Sequence, residues 1–108
     1  MYICKKYRYY IMGYSFEWDP VKEKTNIGKH KITFTEAKSV FLDEFARIFP
    51  DHEHSDFEYR EIIFGFSDKN RLLIVNFIER NDKIRIISSR KVNSKERALY
   101  ENNNRHRK

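Results

Sequence analysis

The sequence has little that would cross-link the chain or hold it in a membrane. Its single cysteine, Cys4, excludes an internal disulfide and offers no zinc framework, which fits a reducing cytosol. No apolar run approaches the roughly 20 residues that a membrane-spanning helix needs. The opening stretch YICKKYRYYIMGY also lacks the apolar region of a signal peptide, and no internal repeat is visible. We therefore expect a cytoplasmic protein.

A strong charge imbalance is also missing, except at the two ends of the chain. The formal net charge is +6, but residues 1–11 carry three basic side chains and no acidic one. Residues 101–108 carry three more against Glu101, so the stretch from 12 to 100 holds 16 basic and 15 acidic groups. The total charge therefore says little about a partner, and the positions of individual charges must be examined instead.

The length and the aromatic content of the chain are sufficient for one folded domain. A chain of 108 residues can enclose a single hydrophobic core, and nine Phe and seven Tyr residues argue against disorder. The pattern becomes domain-like after Met12, at GYSFEWDP. We expect an N-terminal extension at residues 1–11, with Met12 as an alternative start, a domain at residues 12–101 and a polar tail at residues 102–108.

The first half of the domain shows signals for a strand and two helices. Tyr14–Trp18 suits a short strand, and Asp19 followed by Pro20 is typical of a helix start. Gly28 is a natural end for that helix. In ITFTEAKSVFLDE, a threonine and a glutamate stand three residues apart, which is the capping-box spacing, and predict the start of a second helix.

The second half predicts a sheet and a final helix. Three apolar runs, EYREIIFGF, RLLIVNFIE and KIRIISSR, are separated by SDKN and RNDK, which have the composition of hairpin turns. The ending NSKERALYENN indicates a short helix. The expected fold is a compact α+β domain with a short N-terminal strand, two helices on one face of an antiparallel meander, and a short C-terminal helix.

Cations gather towards the ends of the predicted strands. Alternation puts Ile84, Ile86, Ser88 and Arg90 on one face of the last strand, and Arg85, Ile87, Ser89 and Lys91 on the other. Further cations in the neighbouring strands are Arg60 and Arg80. One interpretation is solvated charges paired with Glu58, Glu61, Glu79 or Glu96. The other is a phosphate-binding surface, which would suit RNA cleavage by an attacking 2′-hydroxyl, and Arg90 then suits the site better than Lys91.

Other side chains are candidates for acid–base chemistry or for binding. His30 follows Lys29, and it either caps the first helix or transfers protons. His52 and His54 in DHEHSD resemble a metal site, but no further His or Cys lies near them, so we expect no metal and no cofactor. Tyr100 lies one helical turn after Glu96, where it either packs on the sheet or stacks on a nucleotide.

Several motifs occur together in the order that one protein family shows. FEWDPVKEKTNIGKHKITFTEAKSVFLD, HSDFEYREIIFGFS and RLLIVNFIERNDKIRIISSRKVNSKERALYE resemble the BrnT family of toxins from bacterial type II toxin–antitoxin systems. The resemblance runs from about Tyr14 to Glu101. It implies a RelE-like fold, a ribonuclease activity that inhibits translation, and neutralisation by an antitoxin of the BrnA type, which itself binds operator DNA.

The resemblance also implies roles for single residues. Arg60, Arg80 and Arg90 occupy motif positions and would contact the phosphate, while Lys29 and His30 match the K-H pair and would transfer protons. Tyr100 would stack on a base, and we add Arg85 and Lys91 as predicted RNA contacts. Two alternatives stay open: a non-enzymatic module whose cations bind an antitoxin–DNA complex, and a metal-dependent nuclease that uses DHEHSD.

Overall fold

A five-stranded mixed sheet with three helices forms the domain. The computed structural model describes residues 14–54 and 58–104. The strands are β1 (Ser15–Glu17), β2 (Arg47–Pro50), β3 (Glu61–Phe66), β4 (Leu72–Arg80) and β5 (Lys83–Lys91). The helices are α1 (Pro20–His30), α2 (Phe34–Ser39) and α3 (Ser94–Asn104). The strand order is β1-β5-β4-β3-β2, with β1 parallel to β5 and every other pair antiparallel. The predicted α+β class is confirmed.

Helix α1 begins where the sequence predicts but ends later. The side chain of Asp19 accepts a hydrogen bond of 2.9 Å from the Val21 amide, and Pro20 occupies the first turn. The helix ends at His30, two residues beyond the glycine near which the sequence predicts the end, because the left-handed residue that stops it is Lys31, with φ of 60° and its amide bonded to the Ile27 carbonyl. Lys29 and His30 therefore belong to the last helical turn.

Helix α2 uses only half of the predicted capping box. Thr33 Oγ1 accepts a hydrogen bond of 3.1 Å from the Glu36 amide, as the spacing predicts. The Glu36 carboxylate binds Arg71 and Ser67 instead of returning to the helix start. This buried carboxylate consequently joins α2 to the β3–β4 turn.

The predicted meander is confirmed, and the sheet gains one strand that the sequence did not predict. Asn81 and Asp82 both have positive φ, 53° and 64°, in the two-residue turn between β4 and β5. The addition is β2, which pairs with β3 at the edge of the sheet and ends at Pro50. Proline is tolerated at an edge because no further strand needs its missing amide hydrogen.

The main core lies on the face of the sheet covered by α1 and α2, called the helix face below. Buried residues from this face include Ile63, Leu73, Val75, Phe77, Ile84 and Ile86. Phe41 links the layers, because its ring lies edge-on to Phe16 at 5.1 Å and to Phe77 at 5.0 Å. The opposite face, called the open face, has a smaller cluster of Phe64, Leu72 and Ile74 with Tyr100 from α3. None of the helices described is long and apolar enough to cross a membrane.

A β-bulge in β5 changes which side chains share a face. Asn76 pairs with Ser88 and Phe77 with Ile86, so Ile87 is an extra residue. The predicted alternation is therefore wrong beyond Ile86: Ser89 and Lys91 join Ile84 and Ile86 on the helix face, while Ser88 and Arg90 join Arg85 on the open face. Arg90 and Lys91 nevertheless lie on opposite faces, as predicted.

Candidate functional site

The open face carries a line of cations along β5. Arg85 is paired with Ile78 of β4 and Arg90 with Ile74, and Ser88 lies between the two arginines. Their partners are four residues apart on β4, so at a strand rise of about 3.3 Å per residue Arg85 and Arg90 are about 13 Å apart along the strand. An extended polyanion lying along β5 would therefore meet both guanidinium groups and pass over Ser88.

Two other predicted arginines continue this surface towards the β4–β5 hairpin. Arg60 immediately precedes Glu61, which pairs with Phe77, so Arg60 lies close to the level of Ile78 and Arg85. Arg80 pairs with Lys83 at the hairpin itself. From the level of Arg90 to that of Arg80 is six residues of β4, or about 20 Å. The structure thus arranges the arginines in a strip and not in one compact cluster.

Arg80 and Arg85 of this strip are paired with carboxylates. Arg80 Nη1 lies 3.0 Å from Glu58 Oε2, and Arg85 Nη1 lies 3.4 Å from Glu17 Oε2. The four side chains are 34–58% exposed, and ion pairs this accessible to solvent typically contribute no more than about 1 kcal/mol. A phosphate group therefore competes for them at little cost.

Arg90 is held more firmly than Arg80 or Arg85. Its Nη1 and Nη2 donate to Glu96 Oε1 and Oε2, both at 2.8 Å, which is the bidentate geometry that guanidinium also adopts with phosphate. Glu96 Oε1 also accepts from the Asn93 amide at 2.9 Å, and Asn93 Oδ1 accepts from the Glu96 amide at 2.8 Å. The hydrogen bonds from Arg90 lower the pKa of the Glu96 carboxyl below its ordinary value. The start of α3 therefore fixes the position of Arg90.

A chain of three polar side chains crosses the open face at the bulge. Asp51, which is 8% exposed, accepts a hydrogen bond of 3.0 Å at Oδ2 from Asn76 Nδ2. Asn76 Oδ1 in turn accepts a hydrogen bond of 3.1 Å from Ser88 Oγ. The sequence predicts no role for Asn76 or Ser88. The signal was present, since an asparagine interrupts the apolar run LLIVNFIE and two serines interrupt KIRIISSR.

A basic groove lies between α1 and the edge of β5. β1 pairs only with Lys83, Ile84 and Arg85, so α1 lies beside the remainder of β5, where Asn26 Oδ1 accepts a hydrogen bond of 3.0 Å from the Ser89 amide. The groove has a volume of about 430 Å³ and is lined by Val21, Lys22, Thr25, Asn26, Lys29, His30, Ile87 and Ser88. None of these lining residues is acidic, so the groove suits an anion. It brings the predicted pair Lys29 and His30 together with Ser88.

Tyr100 does not line the groove between α1 and β5 but packs on the open face of the sheet. It is 7% exposed, its ring lies edge-on to Phe66 at 5.8 Å, and its hydroxyl donates to Asp43 Oδ2 at 3.0 Å. Burial raises the pKa of Tyr100, and the neighbouring Asp43 raises it further. These contacts are those of a residue that fastens α3 to the sheet, and base stacking by Tyr100 stays a prediction. Lys91 is exposed at the helix face, away from Arg90.

The histidine-rich segment is only partly described. His52 begins a single 3₁₀ turn, while residues 55 and 56 of DHEHSD lie outside the described residues. Within the part of the chain that the structure describes, no three His, Cys, Asp or Glu side chains are grouped so as to hold a metal ion.

Comparisons with known proteins identify the family. The family model described as "Ribonuclease toxin, BrnT, of type II toxin-antitoxin system" matches residues 18–96. The crystal structure of the Brucella abortus ribonuclease toxin BrnT superposes with a TM-score of 0.60 at 24% identity, over 75% of this chain and 99% of that chain, which shows a shared fold. A search of curated proteins finds no significant match. The chain belongs to the BrnT family of ribonuclease toxins from type II toxin–antitoxin systems.

Proposed function

We propose that this protein is a metal-independent endoribonuclease that inhibits translation by cleaving RNA across its open face and the groove between α1 and β5. The observation that carries the proposal is that Lys29, His30 and Ser88 line one groove, while Arg85 and Arg90 lie on either side of Ser88 along the strand. Family membership supports RNA as the substrate.

The reaction that suits these residues is an internal transfer at phosphorus. The ribose 2′-oxygen forms a bond to the adjacent phosphorus, the bond to the 5′-oxygen breaks, and a 2′,3′-cyclic phosphate results. One side chain must take the 2′ proton and another must protonate the leaving oxygen. Histidine is the residue type best suited to this exchange near neutral pH, so His30 and Lys29 are the proposed proton-transfer groups.

The arginines supply the charge that the transition state needs. Negative charge accumulates on the phosphoryl oxygens as the phosphorus becomes five-coordinate, and fixed guanidinium groups stabilise it. We assign this role to Arg90, and propose that Arg85, Arg60 and Arg80, which lie further along the strip, contact other phosphates of the same RNA strand. Lys91, on the helix face, lies away from this path. The bidentate contact of Arg90 with Glu96 supports the assignment, because a carboxylate there presents two oxygens much as a phosphate does.

Membership of a type II system implies an antitoxin protein as the partner. We propose an antitoxin of the BrnA type that binds as a dimer, so that the complex contains more than one copy of each chain and reaches operator DNA only through the antitoxin. The cheapest check is the neighbouring gene. A gene for a small DNA-binding protein, overlapping or a few bases away, supports this partner.

A non-enzymatic interaction module remains the second candidate. It is favoured by the exposed apolar residues Phe49 and Leu99, which are 40% and 54% exposed beside a pocket of about 270 Å³ on the open face. Apolar exposure of this kind is typical of protein-binding surfaces. In that case the arginines would bind an acidic partner and not RNA.

The test combines toxicity with cleavage by purified protein. Expression of the wild-type chain should arrest growth and protein synthesis, and the purified chain should cleave RNA. Arg60→Ala and Arg90→Ala should remain folded by circular dichroism and lose both effects. The matched control is Arg97→Ala, which removes an exposed ion pair with Glu101 and should stay toxic. Folded Arg60→Ala and Arg90→Ala proteins with full toxicity would contradict the site. A wild-type protein that binds antitoxin but leaves RNA intact would support the interaction module.

A further inference from the structure

The hydrogen-bond chain from Asp51 to Ser88 has a fixed direction. An ionised carboxylate only accepts hydrogen bonds, so the group of Asn76 that faces Asp51 must be its amide NH₂. The amide oxygen of Asn76 then faces Ser88, and an amide oxygen also only accepts. Ser88 therefore donates its hydroxyl proton to the amide oxygen of Asn76.

This direction determines what Ser88 offers to a ligand. A serine hydroxyl has one proton to donate and two lone pairs that accept. Because Asn76 takes the proton, only lone pairs are left for a ligand in the groove between α1 and β5, whose wall includes Ser88. Ser88 thus favours a ligand group that donates a hydrogen bond.

The position of Ser88 narrows the identity of that group. Lys29 and His30 line the same groove, and Arg85 and Arg90 lie on either side of Ser88 on the same face of β5. A nucleic-acid backbone bound by these cations presents phosphate oxygens, which cannot donate. The donor of an RNA backbone is the ribose 2′-hydroxyl, which DNA lacks.

We propose that Ser88 accepts a hydrogen bond from the ribose 2′-hydroxyl and thereby selects RNA over DNA and orients the attacking oxygen. This inference rests on the proposed function and deepens it. Ser88 is not the base in this scheme, because a neutral hydroxyl that keeps its own proton is too weakly basic to take up a second one. Before the reaction the 2′ proton points to Ser88 Oγ. As the new O–P bond forms, the 2′-hydroxyl turns and its proton passes to one of the proton-transfer groups in the groove, Lys29 or His30, while the other protonates the departing 5′-oxygen.

The test uses oligonucleotides that differ only in their ability to donate from the 2′ position. A 2′-amino strand donates a hydrogen bond, a 2′-fluoro strand does not, and neither carries the 2′-hydroxyl nucleophile. Their dissociation constants are measured by fluorescence anisotropy with the wild-type chain and with variants. The two strands also differ in sugar pucker, but this difference is the same for every protein. Comparing the preference of a variant with that of the wild-type chain therefore removes its effect.

The wild-type chain should prefer the 2′-amino strand, and Ser88→Ala should reduce that preference by about five- to tenfold, the magnitude of one hydrogen bond. Ser88→Thr keeps a hydroxyl and should retain the preference. Asn76→Ala should weaken the preference, because it leaves the hydroxyl of Ser88 free to rotate. The matched control is Ser89→Ala, one residue further along and on the helix face, which should bind like wild type.

Two failures are distinguishable. If Ser88→Ala keeps the full preference while the wild-type chain cleaves RNA, the role of Ser88 is wrong and the proposed function stands. If the wild-type chain binds neither strand and leaves RNA intact, the proposed function fails and the role of Ser88 fails with it. Thermal unfolding of each variant establishes that it is folded before binding is compared.

Discussion

Arg90 and Glu96 hold each other through two hydrogen bonds of 2.8 Å, and the same glutamate closes the first turn of α3 through Asn93. One carboxylate therefore restrains the arginine that we assign to the phosphate. RNA must displace Glu96 to bind Arg90, so this ion pair lowers the affinity for RNA.

Weakening that ion pair should strengthen RNA binding. In Glu96→Gln the neutral amide keeps one acceptor but loses the charge, and we expect RNA to bind about three- to tenfold more tightly, while stability falls by about 1 kcal/mol. Binding at fixed salt concentration is the measurement. Glu101→Gln, in the exposed pair with Arg97, is the control and should change neither quantity. Weaker RNA binding in Glu96→Gln would mean that Glu96 positions Arg90 and does not compete for it.

The ion pair between Glu36 and Arg71 should make stability depend on pH. Glu36 is 3% exposed, and hydrogen bonds from Arg71 lower its pKa in the folded state. A lowered carboxyl pKa stabilises the fold above the ordinary pKa of glutamate, and this contribution disappears as the pH falls through the folded-state value. Glu36→Gln should therefore cost about 3 kcal/mol at pH 7 and progressively less in acid.

Urea unfolding of both proteins between pH 7 and pH 3 measures this difference. Glu44→Gln is the control, because Glu44 is exposed, and its effect should be small at every pH. A Glu36→Gln difference that stays constant down to pH 3 would contradict the assignment of this stability to the ionised carboxylate.

Two glycines should respond to alanine in opposite directions. At Gly65 an added Cβ would lie 2.9 Å from Val40 Cγ1 and 3.0 Å from Asp43 Oδ2, so the packing between β3 and the end of α2 must shift. We expect a loss of about 1–3 kcal/mol. At Gly28, inside α1, an added Cβ meets nothing within 4 Å, and alanine should stabilise the helix by up to about 1 kcal/mol.

Each glycine variant serves as the control for the other. Chemical denaturation of the two proteins under one set of conditions gives both values. A Gly65→Ala protein as stable as wild type would show that the contact with Val40 relaxes freely.

The hydroxyl and the ring of Tyr100 should have separable effects. Tyr100→Phe removes the hydrogen bond to Asp43 but keeps the ring against Phe66, so we expect a loss of about 1 kcal/mol in stability and unchanged RNA affinity. Tyr100→Leu also removes the ring. If the folded Leu variant binds RNA as the Phe variant does, the predicted base stacking by Tyr100 is wrong. If it binds more weakly, stacking is supported.

The parts of the fold that were predictable from sequence are those fixed by local chemistry. The helix starts at Asp19 and Thr33 depend on side chains that cap their own turns, and the hairpin at Asn81 and Asp82 depends on residues that tolerate positive φ. Strand β2 was not predictable in this way. It has four residues, and its pairing with β3 is what defines it.

The individual charged residues of the site were predictable from sequence, but their arrangement was not. Arg85 and Arg90 stand out as cations in apolar strands, but their common face follows from the bulge at Ile87, which exists only in the pairing of β5 with β4. The chain from Asp51 through Asn76 to Ser88 joins three separate segments. Its members become neighbours only after the sheet has formed.

The nature of the RNA ends produced in EDTA tests the central claim most directly. Purified wild-type protein, cleared of metal by chelation, is incubated with a labelled RNA, and the product ends are identified by their sensitivity to phosphatase and to acid. We predict undiminished cleavage that leaves 2′,3′-cyclic phosphate or 3′-phosphate ends with 5′-hydroxyl partners. Cleavage that stops in EDTA, or that leaves 3′-hydroxyl and 5′-phosphate ends, would contradict attack by the 2′-hydroxyl without a metal.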